Sequence, residues 1–212
     1  MTNPEGKLPA TLAEVQHPLV GVIMGSDSDL EVVVPAIDVL SDFNIPHETR
    51  IVSAHRTPDH MHHYAQTAFQ RGIRMIIVGA GGSGHLPGMT SSESLVTVKG
   101  IAVNKKGEDP HGAALFSMIE MPPEGGALDV NGINAAGAVG AALSVVRGLA
   151  IAFPELYSKL EERRRNNELD VLYKDTVIQT MPPREYLKKM EDAKAHGEKW
   201  PIRPSSWEPT DE

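Results

Sequence analysis

Two near-continuous apolar runs, 19–24 and 73–78, each give way at once to a glycine-bearing polar loop and then to a helical pattern. A run this short and this apolar, closed by glycine, is the mark of a strand buried on both faces. Between them 47–52 is a further strand candidate. Helical spacing follows at 29–43, with Pro35 as a point of kinking, and at 58–71, where Pro58 opens and Gly72 closes the element. After a second glycine loop the pattern predicts a helix over 87–98 and a strand at 101–103; the segments 115–120 and 127–130 carry weaker signals. This β-α-β-α-β-α-β alternation constrains the chain to a mostly parallel sheet with helices on both faces.

The remaining sequence supports one soluble α/β domain with an extension. Of 212 residues, 41% are hydrophobic and 23% charged, enough for a core without staples. Cysteine is absent, which excludes disulfides, thiolate metal sites and a cysteine nucleophile. A net charge of −8 argues against a nucleic-acid partner, because duplex binding needs a basic face. The stretch 1–18 reads as an arm without the apolar centre of a signal peptide. The segment 135–153 is apolar, but its alanines and glycines and the internal Arg147 suit a close-packed buried helix and not a membrane span, so a cytoplasmic protein is expected. From 154 the chain changes character. A charged helix is expected over 155–168, followed from Met181 by a polar, proline-rich tail that crosses a surface or a neighbouring subunit.

In open parallel sheets ligands bind outside the carboxyl ends of the strands, and three loops there carry suitable residues. In Met24-Gly-Ser-Asp-Ser-Asp29, Ser26 and Ser28 precede a helix N-terminus that attracts anions, and the Asp29 carboxylate suits ribose hydroxyls. The same residues also read as a simple helix cap. In Ser53-Ala-His-Arg-Thr-Pro58, His55 can move a proton near neutral pH and Arg56 can hold a phosphate, unless the pair is merely an exposed turn. The third loop, Gly79-Ala-Gly-Gly-Ser-Gly-His-Leu-Pro-Gly-Met89, frees backbone amides to face a ligand, with His85 as a further acid/base or a turn histidine. It has neither the spacing of a dinucleotide fingerprint nor the lysine of an ATP loop. His60 and His63 share a helical face near His55 and His62, but no third ligand fits them into a metal motif, so no metal is expected.

Together the three loops resemble the N5-carboxyaminoimidazole ribonucleotide mutase family of purine biosynthesis, over residues 19–153. The resemblance implies a flavodoxin-like three-layer sandwich, a homo-octamer and no metal or organic cofactor. It implies a ribonucleotide substrate whose carboxylate moves from an exocyclic nitrogen to ring carbon 4 by loss and recapture of carbon dioxide. On the matching residues, His55 and His85 would be catalytic; Ser26, Asp29, Ser53 and Arg56 would hold the phosphoribosyl part. Ala80, Gly81, Gly82, Ser83 and Leu86 would enclose the imidazole. The related carboxylase class carries Ser-Ala-His-Lys and an arginine in the glycine loop, so Arg56 and His85 side with the mutases. Two segments depart from the family pattern: 104–112, longer and charged with Lys105 and Lys106, and 123–128. They leave open a paralogue acting on a related heterocycle by carboxylation or decarboxylation, and a binding protein without catalysis.

Overall fold

The computed structural model describes residues 9–105, 111–122, 126 and 128–209. The arm before residue 9, and 106–110 and 123–125 of the two divergent segments, lie outside the described residues. Five strands, β1 (Val20–Met24), β2 (His47–Ile51), β3 (Met75–Ala80), β4 (Thr97–Ala102) and β5 (Leu128–Ile133), form one sheet in the order β2-β1-β3-β4-β5. Every neighbouring pair is parallel, with Val20 opposite both His47 and Met75. This order reverses direction between β1 and β3, which is the flavodoxin-like arrangement expected from the alternation. The interior strand β1 is buried along its whole length, whereas β2 is an edge strand with Ile51 exposed.

Helices cover both faces. On one side α1 (Leu30–Asp42) packs against α5 (Asn134–Leu149). On the other α2 (Pro58–Thr67), α3 (His85–Glu93) and α4 (Ala113–Ile119) follow one another in contact. The small residues of α5 serve close approach, as the sequence implied. A Cβ on Gly137 would lie 2.6 Å from the carbonyl carbon of Gly132, and one on Gly148 would lie 2.5 Å from Cε of Met75. Among the described residues no helix is long and apolar enough to cross a membrane.

Several boundaries differ from expectation. The helix expected over 87–98 ends at Glu93, and the strand expected at 101–103 begins at Thr97. Ser94 is already extended, and β-branched Val96, Thr97 and Val98 run into a ladder that pairs Thr97 with Met75. The helix expected to reach Arg71 is regular only to Thr67; an irregular turn then leads to Gly72, whose φ of +95° explains the glycine. Helix α1 starts at Leu30, after a single 3₁₀ turn over Asp27–Asp29.

By contact the chain divides into two compact units, Met1–Leu156 and Tyr157–Glu212. Helix α6 (Glu155–Ile178) runs ten residues beyond the expected 168, and the polar tail contains a further helix, α7 (Pro183–Ala195). Within the second unit, Tyr186 meets Trp200 and Tyr173 meets Trp207 edge-on, and Arg203 pairs with Asp170 at 2.7 Å. Aromatic side chains thus hold a segment whose composition suggested only a tail.

Candidate active site

Because β2, β1 and β3 are neighbours, the loops leaving their carboxyl ends converge at the point where the strand order reverses. The loop after β2 is closed by its own side chains. The Ser53 amide donates to Thr57 Oγ1 at 3.1 Å, and that hydroxyl donates back to the Ser53 carbonyl at 3.1 Å. Arg56 then reaches across to the loop after β1, its Nη2 donating to the Gly25 carbonyl at 2.7 Å while Nε approaches Ser53 Oγ at 3.4 Å. Two loops far apart in the chain are thereby joined by one guanidinium. Between them lies an open pocket of ≈ 390 Å³ lined by Ser26, Asp27, Ser53, Arg56, Thr57 and His60, of a size to take a phosphate.

Ser26 does act as a cap, accepting from the Ser28 amide at 3.4 Å and donating to Asp27 Oδ1 at 3.0 Å, yet it still lines the pocket. Capping and ligand contact are therefore compatible. Asp29 is largely buried, and its Oδ1 faces both Ser28 Oγ at 3.4 Å and Lys105 Nζ at 3.1 Å.

The glycine loop extends β3. Gly82 (φ +59°) and Gly84 (φ +63°) take left-handed conformations, and a Cβ on Gly84 would meet the Ala114 carbonyl oxygen at 2.6 Å. The loop delivers His85 to the first turn of α3, where its Nδ1 stands 3.0 Å from Nε2 of His55 with the rings edge to face. Such a contact requires one nitrogen to carry a proton and the other to offer its lone pair. Both rings are exposed to solvent. Leu86 and Ala80 are buried, while Gly82 and Ser83 are exposed.

The structure thus brings Ser26, Ser53, Arg56, His55 and His85 to one end of the sheet, with Asp29 beside them. His60 joins the pocket wall, and His62 instead pairs with Glu93 at 3.1 Å. Among the described residues no cluster of three His, Asp or Glu side chains could hold a metal ion. Sequence reasoning missed Thr57, which closes the loop, and Asn134, whose side chain clamps the backbone of Asn104 by two hydrogen bonds of 2.8 Å. Asn134 sits at φ +52°, a conformation that asparagine tolerates; its position between a strand and a helix was the available signal.

An open parallel α/β protein with two histidines in contact near an arginine-lined pocket is the class defined by this fold and site. The chain belongs to the AIR carboxylase family, whose model matches residues 19–170. It is 46% identical over 159 residues to the N5-carboxyaminoimidazole ribonucleotide mutase of Bacillus subtilis, covering 74% of this chain and 95% of that one. The mutase of Aquifex aeolicus is 47% identical over 147 residues, or 68% and 84% of the two chains. A Candida glabrata phosphoribosylaminoimidazole carboxylase is 43% identical over 82% of this chain but only 30% of its own length. Among solved structures, Treponema denticola PurE superposes with a TM-score of 0.65 at 24% identity, covering 76% of this chain and 98% of that one, a likeness of fold.

Proposed function

We propose that this protein is an isomerase of purine biosynthesis that converts N5-carboxyaminoimidazole ribonucleotide to 4-carboxy-5-aminoimidazole ribonucleotide. The observation that carries the reading is the His55–His85 contact, one residue along the chain from Arg56 and its pocket, in a chain 41–47% identical to several relatives named as mutases. Arg56, Ser26 and Ser53 hold the phosphate, and Asp29 accepts from the ribose hydroxyls. In this reading the imidazole lies over the glycine loop, enclosed by Ala80, Gly81, Gly82, Ser83 and Leu86.

The chemistry needs one proton moved twice. His55 delivers a proton to the exocyclic nitrogen as the nitrogen–carboxylate bond breaks, its electrons remain on nitrogen, and carbon dioxide is released. Ring carbon 4 then attacks the carbon dioxide, and His55 removes the carbon-4 proton, which restores its starting state. His85, in contact with His55, holds the imidazole orientation and shares the proton between the two steps. Proton and charge balance without a metal or organic cofactor. Confinement by the loop keeps carbon dioxide against the ring and away from water. In solution the protein acts as a cytoplasmic homo-octamer.

The test is conversion of synthetic N5-carboxyaminoimidazole ribonucleotide without ATP or metal. We expect 4-carboxy product from the wild type. His55→Asn should lower turnover by roughly 10²-fold or more while aminoimidazole ribonucleotide still binds. Turnover only from aminoimidazole ribonucleotide plus bicarbonate would reassign the protein as a carboxylase. Loss of binding in His55→Asn would remove the proton-transfer role.

A further inference from the structure

The Asp29–Lys105 ion pair joins two loops that are not neighbours in the sheet. Asp29 follows β1 and Lys105 follows β4, with β3 and its glycine loop between them, so the pair spans the end of β3 where the substrate ring would lie. Exposed ion pairs contribute little, because water screens them and the side chains lose freedom. This one is sheltered: the Asp29 side chain is 12% exposed and that of Lys105 30%. Its base is also fixed. Asn134 binds both the amide and the carbonyl of Asn104, so the residue immediately before Lys105 is tied to the start of α5. Ser28 Oγ on the same Asp29 oxygen completes the restraint.

We infer that Lys105 is a positioning residue for ribose recognition, holding the Asp29 carboxylate oriented to accept from the ribose hydroxyls. A carboxylate gripped through Oδ1 presents its remaining lone pairs in one direction, which favours a ligand with hydroxyls to donate. The inference takes the substrate's identity from the proposed function but is read out by binding alone.

The experiment is calorimetric titration of the full-length protein with 5-aminoimidazole ribonucleotide and with its 2′-deoxy analogue, alongside turnover of the N-carboxylated substrate. Lys105→Met should weaken ribonucleotide binding about tenfold, the loss of one charge-assisted contact, and change binding of the deoxy analogue far less. Lys105→Arg should recover most of the preference. In an Asp29→Asn background, Lys105→Met should have no further effect. In turnover the loss should fall on KM and leave kcat within a few-fold. Equal weakening of both analogues would reduce Lys105 to a general attractor of anions, and no weakening of either would make it a surface charge; each overturns the inference. A wild type that binds with a Lys105-dependent ribose preference yet does not turn over would sink the proposed reaction alone. A wild type that binds neither analogue would sink both.

Discussion

Arg56 shows how one side chain can both build and serve a site. A guanidinium has five N–H donors in a rigid plane, and among the described residues two of its nitrogens are engaged, Nη2 on the Gly25 carbonyl and Nε on Ser53. The residue also lines the pocket. A lysine could keep the charge but could not join both loops and still hold an anion. Arg56→Lys should therefore raise KM tenfold or more, about the worth of one charge-assisted hydrogen bond, with a smaller change in kcat. Steady-state kinetics would check this, and an unchanged KM would place the phosphate elsewhere. At this scale the sequence was most informative where the chemistry is local. Ser53, His55, Arg56 and Thr57 lie within five consecutive residues, and their loop is closed by their own bonds. The pairing of Lys105 with Asp29, and the clamp of Asn134 on Asn104, were not legible because the partners are 76 and 30 residues away.

At the scale of elements, glycines record where backbones touch. Helix α5 begins directly after β5, and the Cβ that alanine would add at Gly137 lies 2.6 Å from the backbone of Gly132. Neither chain can retreat, since β5 is paired with β4 and α5 packs on α1. Gly137→Ala should cost about 1–3 kcal/mol despite alanine's better helix propensity, because overpacking outweighs it. Thermal or urea unfolding would measure this, and a stabilised variant would show that the junction can relax. The boundary errors have a related cause. Residues 94–98 carry a weak pattern of both helix and strand, and pairing with β3 decides the matter. Helix α6 outran its expected limit, and α7 was not expected at all, because charged and polar residues leave helical periodicity faint.

The whole molecule raises the question of assembly. Leu95 and Ile151 are 103% and 89% exposed, and Phe116 and Ile119 lie three apart on the exposed side of α4. Such apolar surface supports the proposed octamer. Light scattering should give a mass eight times the 22.9 kDa of one chain, and a monomer would remove that proposal. The sequence alone determined the parallel α/β class, because buried strands and their glycine exits are written in local hydrophobicity and backbone freedom. It also determined the three chemistry-bearing loops, each a contiguous motif. Tertiary structure decided what those loops do to one another: which strands are neighbours, that the imidazoles of His55 and His85 touch, and that Lys105 reaches Asp29. These depend on strand order and register, long-range pairings that no local pattern encodes.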